Sequence, residues 1–365
     1  MHRMSRLGLH MIVKDESPVI ERCLRSVLPL IDWWVISDTG STDGTQDLIR
    51  RTMAGVPGTL LERTWVSFGH NRQEALEAAR ALEHAAADDY VLWIDADEQL
   101  VDLPESLPDL TADGYHLEVE YGATRYQRLA VVRLDRPWTW RGAIHEYLDL
   151  TDATTDHLAS PRVLVRREGA RSRDPETYRK DAAVIEGELR RDPNDPRMQF
   201  YLGQSWRDAG ELDKALAAYR RRADNPAGWE QERWYAAFQV AVLSEQLGAP
   251  GGEVCEAYLS AYQLCSWRAE PLVELARHER GRERYEVALL YAHRATRIAP
   301  PGAQGLFVDH DTYAWRAWDE VAISSYWVGR YADGVVAAQK ALAARPDDPR
   351  LRANLAWCQD KLTDR

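Results

Sequence analysis

The stretch Tyr90-Val91-Leu92-Trp93-Ile94-Asp95-Ala96-Asp97-Glu98 decides the fold, because an apolar run of strand length ends in two carboxylates one residue apart. A strand so apolar is buried, and buried strands of open α/β sheets present their ligand sites outside their carboxyl ends. A pair of Asp side chains at that place is a hard-oxygen site, suited to Mg²⁺ or Mn²⁺ carrying a phosphorylated substrate.

Upstream, Leu7 to Val13 reads as a strand, and Ile20, Cys23, Leu24 and Val27 follow with helical spacing. Trp33-Trp34-Val35-Ile36 is a second short strand. It runs into Ser37-Asp38-Thr39-Gly40-Ser41-Thr42-Asp43-Gly44-Thr45, a loop of small and capping residues that leads into another helix. Strand, helix, strand, helix at this spacing predicts βαβ units and a parallel sheet. Capping explains much of the loop, but Asp38 stands directly at the strand end, where a ligand group belongs. After a possible strand at Leu60-Leu61, a helix opens at Phe68-Gly69-His70-Asn71-Arg72. Arg72 is either a phosphate clamp near the sheet edge or a solvated surface residue. Downstream, Tyr115 to Glu120 alternates as a strand, Leu129 to Leu134 is another, and a loop runs from Pro137 to Glu146.

The 365 residues suffice for two domains, and 45% apolar with 28% charged residues is ordinary for a globular chain. The formal charge of −12 argues against nucleic acid or an anionic membrane as the main partner. Cys23, Cys255, Cys265 and Cys358 are scattered, which suggests core thiols of a cytoplasmic protein and neither a zinc site nor a disulfide framework. No run approaches the length of a membrane span.

Three ordered blocks carry a family resemblance: Met11-Ile12-Val13-Lys14-Asp15-Glu16, Ser37 to Thr45, and Trp93 to Glu98. In order and spacing this half resembles family 2 glycosyltransferases of the GT-A fold. With the Gly142-Ala143-Ile144-His145-Glu146 block and the helical second half, it resembles the branch joined to tetratricopeptide-like helices, which includes peptide S-glycosyltransferases. Asp15 departs from that branch, which usually has Asn. The resemblance implies that Asp38 binds the nucleotide base and Asp95 the ribose or the metal shell. Asp97 would coordinate Mn²⁺ or Mg²⁺ on the donor diphosphate, and His145 would be a further ligand. Val13, Asp15, Glu16, Arg72 and Ala96 would complete the donor site for a UDP- or GDP-sugar. Inversion requires a carboxylate to deprotonate the acceptor. Glu146 is the first choice, with Asp135 and Glu118 behind it.

From about Tyr178 helical periodicity takes over. Residues 197–226 carry the spaced small and aromatic residues of a tetratricopeptide hairpin, and 229–267, 268–301 and 317–346 repeat it more loosely. Expected, therefore, is an α/β GT-A domain over residues 1–170 and an all-α solenoid over 171–365. The solenoid would hold a peptide or protein acceptor, mediate a homodimer, or simply cap the catalytic domain. Two other readings stand beside transfer. One is a solenoid adaptor that binds nucleotide sugars without turnover. The other is a nucleotidyltransferase, whose usual Gly-rich phosphate loop is missing where this chain has Lys14-Asp15-Glu16-Ser17.

Overall fold

The structure is a computed structural model, and it describes residues 6–122, 124–166, 168–302 and 304–363, the side chain of Thr124 excepted. The chain divides into two compact units, residues 1–185 and 186–365. The expected division at residue 170 thus falls inside the first unit. The physical reason is local: the Arg171 guanidinium binds Asp181 at 2.6 and 2.8 Å, and the Ala170 N–H donates to Glu16, so the chain after 170 is still tied to the sheet.

The first unit begins with β1 (Leu7–Val13), α1 (Ile20–Val27), β2 (Trp33–Asp38), α2 (Thr45–Thr52), β3 (Gly58–Glu62), α3 (Phe68–Arg80) and β4 (Tyr90–Trp93). Seven shorter or hairpin strands follow: β5 (Glu98–Val101), β6 (Gly114–Tyr121), β7 (Thr124–Arg133), β8 (Thr139–Arg141), β9 (Tyr147–Asp149), β10 (Thr155–His157) and β11 (Arg162–Val165). Helix α4 (Ala170–Arg173) follows, and α5 (Thr177–Arg191) runs across the boundary at 185. The main sheet runs β3-β2-β1-β4-β7-β6-β11-β5, with β10 beside β6. Pairing is parallel from β3 through β4, and antiparallel where β7 joins β4 and β6.

Strand alternation sends Leu9, Met11, Ile36 and Leu92 to one face, where Ile20, Leu24, Ile49 and Met53 of α1 and α2 cover them. The opposite face carries Val35, Val91 and Trp93 against Leu76 and Ala79 of α3. Each of these fully buried aliphatic side chains contributes about 1.5–3 kcal/mol of burial. The register fixes the edge that matters. Val13 pairs with Asp38, and His10 pairs with Trp93, so Asp95 and Asp97 emerge level with the end of β1.

The second unit is helical: α6 (Pro196–Asp208), α7 (Leu212–Asp224), α8 (Glu230–Gln246), α9 (Gly251–Leu264), α10 (Glu270–Gly281), α11 (Tyr285–Ala295), α12 (Ala317–Trp327), α13 (Tyr331–Ala344) and α14 (Pro349–Thr363). Each helix packs on the next, the arrangement of a solenoid of hairpins. Asp195 caps α6 by accepting from the N–H groups of Arg197 and Met198, with Pro196 at the first helical position. A π-helical turn, Thr312–Arg316, leads into α12. A cavity of about 500 Å³ opens among α8, α9, α10 and that turn, walled by Trp234, Phe238 and Phe307 and floored by Glu274, Arg277 and Arg316. Trp327 is 58% exposed and stacked on Tyr285. Among the described residues, no helix is long and apolar enough to cross a membrane.

Candidate active site at the carboxyl ends of the central strands

The acids after β4 sit on a closed turn. The Glu98 N–H donates to the Asp95 carbonyl at 3.0 Å, and the Glu98 carboxylate accepts from the Asp95 N–H at 3.0 Å. Arg128 of β7 grips that carboxylate at 2.6 and 2.7 Å, so the turn is fixed by a bidentate ion pair. Asp95 is fixed from its other end. Arg72 Nη2 donates to its Oδ1 at 2.5 Å, and Arg72 Nε donates to Glu146 at 2.6 Å. Arg72 is 2% exposed and lies 4.7 Å and 5.1 Å from the rings of Trp93 and Trp140. It is therefore no solvated surface residue but the buried centre of an Asp95–Arg72–Glu146 chain whose Asp95 end is 40% exposed on its side chain. Its Nη1 has no partner among the described residues.

The two acids differ in electrostatic setting. Burial pushes the Asp95 carboxyl up, but Arg72 and then Arg128 outweigh it and hold the group below the usual carboxylate range. Asp97 has the opposite fate: burial first, then the charges of Asp95 and Glu98, push it up. Gly169 lies directly against it. A Cβ there would fall 2.9 Å from the Asp97 carboxylate oxygen, so any larger residue would have to push that carboxylate aside. Beside it, Glu16 accepts from the Ala170 N–H at 3.0 Å and is pushed up to about 7 by burial, with Asp97 adding to the effect against that hydrogen bond.

Two strands away, Asp38 is 1% exposed at the end of β2. Its Oδ1 accepts from the Gly40 and Ser41 N–H groups at 3.1 and 2.9 Å and from Gln46 Nε2 at 2.8 Å. Its Oδ2 is buried without a partner among the described residues, an arrangement that costs free energy until a donor arrives. Val13, its neighbour in register, accepts from the Thr39 N–H and hydroxyl. Asp15, at φ +53°, accepts from the Thr42 N–H at 2.8 Å and donates its own N–H to Ser41, which ties the loop after β1 to the loop after β2. Two interstrand spacings separate β2 from β4, about 10 Å.

The 142–146 loop reaches the same edge through α3. A Cβ on Gly69 would fall 2.2 Å from the Gly142 carbonyl oxygen, and the Phe68 N–H donates to the Ala143 carbonyl at 3.1 Å. His145 sits there half-buried at φ +52°, between buried Ile144 and Arg72-bound Glu146. Ala96 lies at the tip of the turn with its methyl in the core. Asp95, Asp97 and His145 do not converge within 4.8 Å as a three-residue cage among the described residues. A divalent cation fits the acids nonetheless, because it would offset the burial and repulsion that raise Asp97 and complete its shell with diphosphate oxygens.

Two of the three expected base candidates are placed elsewhere. Asp135 follows β7 at the wrong end: Arg133 pairs with Tyr90 and the Leu134 N–H donates to the Asp89 carbonyl, about 20 Å of strand from Asp95. It binds Arg133 at 2.6 Å. Antiparallel pairing to β4, which the strand's own residues do not reveal, reverses its position. Glu118 on β6 lies with Arg125 and Arg162, 3.4 and 3.8 Å away. Sequence reasoning also missed Arg128 and Gly169, and it gave Glu98 no role. Only the pairing of β7 with β4 and the return of the chain after β11 could have shown them.

Residues 9–117 match the model of Glycosyl transferase family 2. The chain carries a family 2 glycosyl transferase domain. That stretch holds β1 to β4 and every acid of the loops after β1, β2 and β4. A TPR repeat-containing protein of Synechococcus elongatus is 32% identical over 159 residues, which are 40% of this chain and 36% of that protein. The chain thus spans little more than a third of the curated relative's length. Similar solved structures include MamA (15% identity, 47% of this chain and 90% of that one, TM-score 0.38). A tetratricopeptide repeat protein from Parabacteroides merdae is 15% identical, covering 51% of this chain and 68% of that one, with a TM-score of 0.39. The solenoid assignment rests on the nine helices and their successive packing among the described residues, not on these scores.

Proposed function

We propose that this protein is an inverting, metal-dependent glycosyltransferase that moves a sugar from a UDP- or GDP-sugar to an acceptor. The observation that carries this reading is the pairing of two unmet demands along one sheet edge. Asp38 Oδ2 wants a donor, as a nucleobase N–H supplies, and Asp97, on the turn after a strand about 10 Å from β2, wants a cation, as a metal-bound diphosphate supplies. A nucleoside diphosphate spans such a distance. Asp97 would hold Mn²⁺ or Mg²⁺ with His145 as a second ligand, and Asp95, oriented by Arg72, would face the ribose or the metal's water shell. The metal's chemistry there is to neutralise charge on the departing diphosphate. Val13, Asp15, Glu16 and Ala96 shape the pocket around the donor. Acceptor deprotonation falls to Glu146, the one of the three base candidates that lies inside the cluster. Its ion pair with Arg72 favours a second reading, in which Glu146 only positions Arg72 and hence Asp95. The helical unit would hold a peptide or protein acceptor, a role supported by its aromatic-walled cavity.

Transfer, or slow hydrolysis, of UDP- and GDP-sugars with Mn²⁺ tests the assignment. Asp97→Asn should lose about a thousandfold in rate with an unchanged circular dichroism spectrum, the scale of several kcal/mol expected for a catalytic metal. Retained turnover would refute it. Glu146→Gln separates the two roles: a base loses kcat with donor KM unchanged, whereas a positioning residue raises donor KM.

A further inference from the structure

In the helical unit, α9 and α10 bring together Cys255, His278 and Glu279. The thiol sulfur, a ring nitrogen and a carboxylate oxygen lie within 4.8 Å of one another. The set is built rather than casual. Glu279 has a side chain 1% exposed, and the Cys255 thiol donates to its Oε1 at 2.7 Å. His278 Nδ1 is 2.9 Å from Glu245 Oε1, and Glu245 is in turn held by the Tyr258 hydroxyl at 2.9 Å and by Arg277 at 2.5 Å. The imidazole is therefore oriented by a carboxylate on one nitrogen. The other, Nε2, is buried and has no partner among the described residues. A histidine fixed in this way, with its second nitrogen spare, is how metal-ligating imidazoles are positioned.

We propose that Cys255, His278 and Glu279 form a zinc site, with His278 binding through Nε2 and the fourth position open to water or an external ligand. Sulfur, imidazole nitrogen and carboxylate oxygen together favour Zn²⁺, which accepts all three in tetrahedral geometry, over Mg²⁺ or Ca²⁺. Binding displaces the thiol proton now donated to Glu279, and that proton leaves to solvent. The thiolate and Glu279 then neutralise the dication. Arg282 and Arg284, each 2.9 Å from Glu279, are the present counter-charges. Arg282, whose Nη1 also lies 3.7 Å from the Cys255 sulfur, is 38% exposed on its side chain, and metal binding requires it to turn outward. Because the ligands come from two helices of different hairpins, the ion would staple one repeat to the next. The site is independent of the transferase chemistry and needs none of it.

Cobalt(II), as an optical stand-in for zinc, tests this on the full chain freed of metal, with excess Mg²⁺ present to compete at Asp97. The expected result is a thiolate-to-cobalt absorption band that saturates at one equivalent and is bleached by Zn²⁺. It should vanish in Cys255→Ser and persist in Asp97→Asn. Glu245→Gln should weaken affinity by about 10–100-fold, as lost outer-shell hydrogen bonds do. The melting temperature should also climb with zinc concentration, as mass action requires. No band at saturating cobalt, or an undiminished band in Cys255→Ser, overturns the proposal and leaves Cys255 a thiol hydrogen-bonded to Glu279. Should Cys255→Ser lose its helical signal, His278→Gln decides instead, and a band unchanged there overturns the site.

Discussion

The core acids of the helical unit and two acids at the sheet edge of the first unit, Asp38 and Asp97, differ in how their charge is met. In the helical unit, buried and half-buried acids meet guanidinium groups: Glu270 with Arg268, Glu320 with Arg280, Asp319 with Arg350, Glu274 with Arg277 and Arg316. At the sheet edge of the transferase unit the acids outnumber their partners, so Asp38 keeps a bare oxygen and Asp97 is pushed up by its neighbours. Compensated charge specifies a scaffold, and uncompensated charge marks where a ligand completes the structure. The contrast teaches that the same residue types serve packing or chemistry according to whether a counter-charge is built in.

The strongest way to break that contrast is to remove a counter-charge from the helical unit. Arg268 is fully buried, gripping Glu270 and Gln231 and lying 3.7 Å from the Trp234 ring centroid. Arg268→Ala strands Glu270 and should cost about 3–5 kcal/mol in urea unfolding. A loss below 1 kcal/mol would mean that the pairing is not what holds this unit together.

A smaller effect sharpens the other side. His10 in β1 is buried with neither ring nitrogen partnered among the described residues, and burial, then Arg72 and Arg80, lower its pKa to about 3. Since the folded value lies below the unfolded 6.5, the stability this neutral ring permits is intact above pH 6.5 and is lost as pH falls from 6.5 toward 3. The loss should amount to a few kcal/mol at most. His10→Leu should flatten the decline in melting temperature over that window, and an identical slope in the variant would assign it to other groups. The smallest effect is the control. Glu21 and Arg25 form an exposed i,i+4 pair on α1, so Arg25→Ala should change stability by only about 0.3–0.5 kcal/mol.

How much of this was legible depended on whether the deciding contact was local. β1, β2 and β4 announce themselves as apolar runs, because strands buried on both faces need no alternation. The hairpins of the solenoid are equally plain, since their small and aromatic residues recur within one supersecondary unit, as where Tyr219 packs on Gly203. The three- and four-residue strands β5 and β8 to β11 are too short to show a period, and none was foreseen. Arg72 reads on its own helix as a phosphate clamp or a surface residue, and its ion pairs stay hidden because its partners stand 23 and 74 positions downstream. Asp38 and the Asp95–Asp97 pair were visible as chemistry, but their difference in charge balance was not. That difference depends on Arg128 and on the segment carrying Gly169.

The pairing of β5 with β11 also has a consequence in time. Glu98, which closes the turn under Asp95 and Asp97, lies opposite Val165, 67 positions later, as 165 − 98 gives. Closing so long a loop is slow compared with forming neighbouring helices, whose contacts are short-range. During refolding, amides of residues 98–101 should gain hydrogen-exchange protection after those of residues 212–224, and the reverse order would contradict this. The sheet edge carrying Asp95 and Asp97 would then be among the last parts of its unit to take shape, so on the proposed function a nascent chain would gain affinity for its donor only once its first unit is complete.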